Sequence, residues 1–289
     1  MTSDAGAREI DSPTEEYLDF PGGRVHVFRG GTGPPLLFLH AAGGAGQWLE
    51  FHKMLARRHE VYAPDHPGFG SSDDLADVEA MDDLVYHYLD VIDRLGLVRP
   101  HVVGGSFGGW VAAELAVAAP HLIGSLVLLA PAGLRLPDHP IADLFIMTPE
   151  QIVGTLYHDP AKAGPPPDEP DIDMVLAAYR DATALARFSW TPFLCNPKLE
   201  RRLHRITAPT LVAWPADDRI VPIAHGHRYA ERIPNTEFAV VEDCGHAMYF
   251  ERPAAFADLV IDFLARNATG ASAAGATGTA GATEKAASR

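Results

Sequence analysis

Cysteine is almost missing from this chain. Only Cys195 and Cys244 occur in 289 residues. Two distant cysteines cannot form a disulfide framework, and their separation has no metal-site spacing. Cys244 is expected as a small buried side chain rather than a reactive thiol. Also missing is any uninterrupted apolar stretch long enough to cross a bilayer. Residues Met1 to Arg8 hold no basic segment leading into an apolar core, so no secretory signal is expected and a cytoplasmic location is the default. Positive charge is scarce: 23 Lys and Arg stand against 38 Asp and Glu, a formal net charge of −15. That balance argues against general nucleic-acid binding and leaves no basic patch for a membrane surface. What remains is ordinary globular material, 47% hydrophobic and 21% charged. It suffices for one large α/β domain with an insertion, or for two small domains.

The most informative run is His101-Val-Val-Gly-Gly-Ser-Phe-Gly-Gly-Trp110. Gly104 and Gly108 bracket Ser106 in the pattern Gly-x-Ser-x-Gly. Val102 and Val103 before it read as a buried strand, and the apolar stretch Trp110 to Ala119 after it reads as a helix. A serine on so tight a strand-to-helix turn is held in a strained backbone conformation with its hydroxyl pushed outward. The glycines permit a close approach of strand and helix. The first helical amides, beginning with Phe107, can stabilise negative charge beside the hydroxyl. A glycine-rich loop closing a strand is the plain alternative, and the strand–turn–helix context favours a nucleophile.

Eight strand candidates are legible. Glu16 to Phe20 and Arg24 to Phe28 form a hairpin around Gly22-Gly23. Leu36 to Leu39, Glu60 to Ala63, His101 to Gly105, Leu126 to Leu129, Thr210 to Trp214 and Phe238 to Val241 follow. Helices are expected at Gln47 to Arg58, Met81 to Leu95, after Ser106, at Ile223 to Arg232 and at Pro253 to Ala265. Alternating strands and helices imply an α/β fold with a mostly parallel eight-stranded sheet covered on both faces. The division expected is a flexible 1–14, a core of 15–132 and 206–266, a helical cap over 133–205, and a disordered low-complexity tail at 267–289. Within the cap, Ile141 to Met147 and Ile172 to Phe188 read as helical. Gly164 to Pro170 reads as a proline-rich break. Such an insertion is expected over the carboxyl edge of the sheet, where open α/β sheets bind ligands.

A serine nucleophile needs a base, and the base needs an acid to orient it. Asp217 and Asp218 follow the strand ending at Trp214. His246 follows the strand ending at Val241, in Glu242-Asp-Cys-Gly-His-Ala-Met248. All three groups sit after strand carboxyl ends and can converge on one edge. His246 is singled out from 14 histidines; His66, His87 and His101 read instead as loop, helix-face and strand-entry residues.

With these residues in place, the chain resembles the serine-dependent α/β-hydrolase-fold superfamily, the group of esterases, lipases and C–C hydrolases, over about residues 16–266. Four motifs carry the resemblance: Leu39-His-Ala-Ala-Gly-Gly44, Asp65-His-Pro-Gly-Phe-Gly-Ser-Ser72, the Ser106 turn, and Asp217-Asp-Arg-Ile-Val-Pro222 followed by Cys244-Gly-His246. It implies the eight-stranded α/β-hydrolase sheet and the order Ser, acid, His. The family pattern Gly-x-x-Asp-x-x-Val-Pro points to Asp218, with Pro215 in the glycine position. Asp217 is the alternative acid, otherwise solvated or in contact with a loop. The oxyanion hole implied is the backbone N–H of Phe107 together with that of Ala42 or its neighbour Ala41. The family often has His-Gly where this chain has His40-Ala41, and His40 is expected to order the loop.

The resemblance implies two-step acyl transfer by Ser106, Asp218 and His246 on a small-molecule acyl substrate, with no metal and no organic cofactor. A small or medium carboxylic ester is the first expectation, making a carboxylesterase. The alternatives are a C–C bond hydrolase of ring-cleavage products, or a lactonase. C–C hydrolases typically carry a tryptophan directly after the histidine, where this chain has Ala247. The serine turn is also close to the Gly-Gly-Ser-Trp-Gly of proline iminopeptidases, but no acidic amine-binding motif can be assigned. A different class, a non-catalytic ligand receptor on the same fold, is distinguished by the absence of turnover. Ala41, Trp190, Phe193 and Ala247 are the candidate pocket residues. The aromatics between Arg187 and Phe193 either wall that pocket or hold the insertion to the core.

Overall fold

In a computed structural model, residues 10–164 and 171–274 are described. The strands are β1 (Thr14–Phe20), β2 (Gly23–Gly30), β3 (Pro35–Leu39), β4 (Glu60–Pro64), β5 (His101–Gly105), β6 (Ser125–Leu129), β7 (Thr210–Pro215) and β8 (Thr236–Val241). They form one eight-stranded sheet in the order β1-β2-β4-β3-β5-β6-β7-β8. β1 and β2, and β2 and β4, pair antiparallel. Every other neighbouring pair is parallel. β5, β6 and β7 are buried along their whole length. That is why their sequences run Val-Val and Leu-Val-Leu-Leu without alternation: both faces are covered.

The chain winds outward from β3 to β4, then returns to place β5 on the other side of β3. The loops leaving β3 and β5 therefore diverge from adjacent strand ends. This reversal opens a crevice at the carboxyl edge, the usual ligand position in open α/β sheets. His40 leaves β3 there, and Ser106 leaves β5.

The helices are α1 (Glu50–Ala56), α2 (Met81–Arg94), α3 (Phe107–Ala118), α4 (Pro149–Leu156), α5 (Ile172–Ser189), α6 (Ala224–Arg232), α7 (Met248–Glu251) and α8 (Pro253–Ala274). α2 buries Leu84, Val85, Tyr88, Val91 and Ile92 on one face. Each such side chain contributes about 1.5–3 kcal/mol on burial. α3 is buried from Phe107 through Val117. It is apolar all round because it lies between sheet and helices. A Cβ on Gly104 would meet Gly108 and Ala112 of α3, and one on Gly105 would meet Tyr249. Successive strand residues point to opposite faces, so α3 and Tyr249 lie on opposite sides of β5. α2 packs with α3, and α1 packs with α8.

Several local expectations need correction. Ile141 to Met147 is not an α-helix. Only Leu144–Ile146 makes a single 3₁₀ turn, started by the Asp143 carboxylate accepting the Phe145 amide at 3.0 Å. The helix lies one step later, at α4, where Thr148 and Gln151 cap each other's amides at 3.3 and 2.8 Å. Residues 10–14 are anchored rather than loose: the Trp48 indole donates to the Ile10 carbonyl at 2.8 Å, and β1 begins at Thr14. α8 continues to Ala274, past the expected start of the tail at 267. The remaining tail 275–289, residues 1–9 and the proline-rich 165–170 lie outside the described residues. Among those described, no helix is long and apolar enough to cross a membrane.

Candidate active site

Ser106 sits between β5 and α3 with φ 52° and ψ −114°. This is left-handed backbone, costly for a residue with a side chain. The surroundings fix it. Its amide donates to the Leu129 carbonyl at 2.9 Å, and its carbonyl accepts from the amides of Trp110 and Ala132, both at 3.1 Å. A Cβ at Gly108 would collide with the carbonyls of Leu39 and His40, so only glycine allows α3 to approach β3 this closely. The Ser106 side chain is left half-buried at the sheet edge. Phe107 is the first residue of α3, and its amide has no intrahelical acceptor.

His246 and Asp218 meet Ser106 there. His246 Nδ1 lies 2.7 Å from Asp218 Oδ2, and His246 Nε2 lies 2.8 Å from Ser106 Oγ. The carboxylate takes the Nδ1–H, which leaves Nε2 free to accept the serine O–H. Both side chains of the pair are buried, at 8% exposure for His246 and 0% for Asp218. The other Asp218 oxygen accepts the amides of Ile220 and Val221 at 2.9 and 2.8 Å. Asp217 turns away and pairs with His158 Nδ1 at 2.8 Å.

The loop after β3 is held by a histidine network that sequence reasoning found only in part. The His66 amide donates to His40 Nε2 at 2.9 Å, so His40 carries its proton on Nδ1 and donates to the Ala41 carbonyl at 2.7 Å. His66 Nε2 donates to the His40 carbonyl at 2.9 Å, and Tyr88 donates to His66 Nδ1 at 2.5 Å. Burial depresses both imidazoles, His66 well below its ordinary value, so the network is neutral. Further along the loop, the Gly46 amide donates to Asp65 Oδ1 at 2.6 Å. Burial pushes the Asp65 carboxyl up, but the hydrogen bonds it accepts from His26 and from the amides of Gly46 and Ser71 outweigh it and hold the group below the usual range. Ala41 and Ala42 sit half-buried between these two anchors. His66 was expected as a plain loop residue; its 22-residue separation from Tyr88 gives no local signal.

The segment between β6 and β7 is tied to the core at two edges. On one, α5 meets residues 70–74: Arg187 grips both oxygens of Asp74, Arg180 donates to the Ser72 carbonyl, and Asp181 accepts the Gly70 amide at 3.1 Å. On the other, the end of α4 meets the loops bearing Asp218 and His246. Arg219 donates to the Gly154 carbonyl at 3.1 Å, and the Ala247 amide donates to the Leu156 carbonyl at 2.9 Å. Ala247 is thereby buried under α4. Trp190, a candidate pocket wall, is instead 62% exposed and meets Phe145 edge-on at 5.4 Å. Phe193 meets the same ring at 6.2 Å. Trp190 and Phe193 thus share Phe145 as a partner, and Phe145 and Phe193 also pack against the buried core. A cavity of about 870 Å³ opens between α2, α3 and residues 187–205, and none of Ser106, Asp218 or His246 lines it.

Residues 36–259 match the family described as the Alpha/beta hydrolase family. The chain is 32% identical over 265 residues to a 2-hydroxy-6-oxononadienedioate/2-hydroxy-6-oxononatrienedioate hydrolase of Cupriavidus pinatubonensis, covering 83% of this chain and 90% of that one. It is 29% identical over 272 residues to a 2-hydroxy-6-oxo-6-phenylhexa-2,4-dienoate hydrolase of Burkholderia cepacia, covering 84% and 91%. Among solved structures, a meta-cleavage product hydrolase from Pseudomonas fluorescens IP01 superposes with a TM-score of 0.71 at 22% identity, covering 87% of this chain and 97% of that one.

Proposed function

The chain belongs to the alpha/beta hydrolase family, and from that premise we propose that it is a serine hydrolase adding water across a carbon–carbon bond of a 2-hydroxy-6-oxo-dienoate. The observation that carries the serine mechanism is the relay from Asp218 through His246 to Ser106, at 2.7 and 2.8 Å. The names of the relatives matched over most of their length support the substrate class. They shift the choice from the carboxylic ester, the first expectation from sequence, to its C–C alternative.

In this reading His246 takes the Ser106 proton as Oγ attacks the 6-oxo carbon. Asp218 stabilises the imidazolium that forms. The amides of Phe107 and Ala42 bind the oxyanion. The bond to the neighbouring carbon then breaks. This needs the dienol first to tautomerise to its 2-oxo-3-ene form, its hydroxyl proton moving to the carbon beside C6. The electron pair of the broken bond then delocalises through the alkene onto the 2-oxo oxygen as a dienolate, which takes a proton and leaves as the 2-hydroxy-dienoate, and water releases the acid from Ser106. The insertion acts as a cap over this edge. An ester is the second reading, favoured by one observation: Ala247 stands where C–C hydrolases typically carry tryptophan.

The test compares turnover of a 2-hydroxy-6-oxo-6-phenyl-dienoate, followed by loss of its absorbance, with release of p-nitrophenol from a chain-length series of esters. The expected result is a kcat/KM for the dienoate at least about tenfold above the best ester, with both lost in Ser106→Ala. Faster ester cleavage moves the assignment to the second reading. Stoichiometric binding without turnover of either indicates a receptor.

A further inference from the structure

Glu251 lies on α7, five residues after His246, with 7% of its surface exposed. Its carboxylate accepts three main-chain amides. Oε2 takes Gly245 at 2.7 Å and His158 at 2.9 Å; Oε1 takes Asp159 at 3.1 Å. Gly245 immediately precedes His246, whereas His158 and Asp159 follow α4 in the insertion. A buried carboxylate is expensive to leave unpaired, so these amides cannot withdraw from it separately at low cost. The approach is also sterically tight. A Cβ on Gly245 would meet the Leu156 carbonyl and the His158 amide at 2.5 Å each. On the other side of His246, the Ala247 amide is bonded to Leu156. Both peptide neighbours of the imidazole are thus fastened to residues 156–159. The His158–Asp217 pair on the rim is about 40% exposed at each partner, 37% and 43%, and screening makes it a weaker tie.

We propose that Glu251 is a positioning residue for His246, clamping the base loop and the end of α4 into one unit so that the insertion sets where the imidazole stands. The inference rests on the serine-hydrolase reading for its effect on turnover. The mechanical claim stands on the hydrogen bonds alone. A displacement of about 1 Å at a reacting group costs roughly 100-fold in rate, which makes the clamp consequential without any contact to substrate.

Glu251→Gln keeps the shape but turns one acceptor oxygen into a donor facing amide N–H groups. The expected outcome is a kcat lowered about 10- to 100-fold with KM within about threefold, because the reacting geometry rather than the pocket is disturbed. Proton NMR supplies a readout that needs no substrate: the far-downfield signal of the His246 Nδ1–H, sharp in the wild type, broadens or vanishes in the variant. A folded variant with wild-type kcat and an unchanged signal overturns the proposal. Should Glu251→Gln fail to fold, native-state hydrogen exchange on the wild type decides. The amides of Gly245, His158 and Asp159 are expected to open together with one protection factor. Exchange of Gly245 at a rate unrelated to the other two overturns the clamp. A failure of the hydrolase reading appears separately, as absence of turnover in the wild type with the NMR and exchange results intact.

Discussion

Asp217 and Asp218 are adjacent in sequence, and their surroundings divide them completely. Asp218 has one oxygen filled by the Ile220 and Val221 amides, so the other is fixed on His246. Asp217 lies on the rim, paired with the half-buried His158. Asp218→Asn is therefore expected to lower kcat about 1,000- to 10,000-fold, by favouring the wrong imidazole tautomer. Asp217→Asn loses a partly exposed pair worth about 0–1 kcal/mol and should stay within about threefold. Steady-state kinetics of the two variants checks this, and comparable losses in both would reject the division of roles. Ser106 and His246 were legible because their signals are local: a bracketed glycine turn, and a histidine just past a strand. Asp218 needed the spacing to Val221-Pro222. His158 and Glu251 were not legible as partners, because 93 residues separate them and only the folded insertion brings them together.

At the scale of elements, the sheet could be read from sequence and the insertion only in part. A strand buried on both faces must be a short apolar run, and β3, β5, β6 and β7 all are. The insertion has weaker rules. The capping pair Thr148 and Gln151 was present in the sequence and marks the start of α4, but the apolar run at Ile141 to Met147 drew the helix forward. α5 presents a different case. Ile172, Val175, Leu176 and Tyr179 recur at helical spacing, yet that stripe faces outward, from 42% to 73% exposed. The residues that α5 buries are Ala184, Leu185, Phe188 and Ser189, near its end. Periodicity located the helix correctly. The side it presents to the core depends on where α5 docks through Asp181 and Arg187, which no local pattern records.

At the scale of the whole molecule, buried histidines tie stability to pH. Burial lowers His52 to about 3. Burial likewise lowers His87 and His101 to about 4, helped by Arg94 and His59 respectively. Below pH 6.5 the unfolded chain binds protons that these folded imidazoles refuse. Stability from this source is complete above about pH 6.5 and is lost as pH falls toward the folded values, by about 1.4 kcal/mol per pH unit for each fully differing histidine. His26 acts in the opposite sense: its partners Asp65 and Glu15 outweigh burial and raise it, so its contribution is complete below about pH 6.5 and is lost above its folded value. Four more imidazoles, His40, His59, His66 and His225, are lowered by burial in the same way, so seven lowered histidines against one raised predict a lower urea midpoint at pH 5 than at pH 7.5, with a flatter dependence in His52→Gln. Equal midpoints would contradict this balance.

The proposed function rests on activation of Ser106 by His246 at this sheet edge. The most direct measurement is intact-protein and peptide mass spectrometry after exposure to a fluorophosphonate. One adduct per chain is expected, located on the peptide carrying Ser106, and none in Ser106→Ala. An adduct on another residue, or equal labelling of Ser106→Ala, would contradict it.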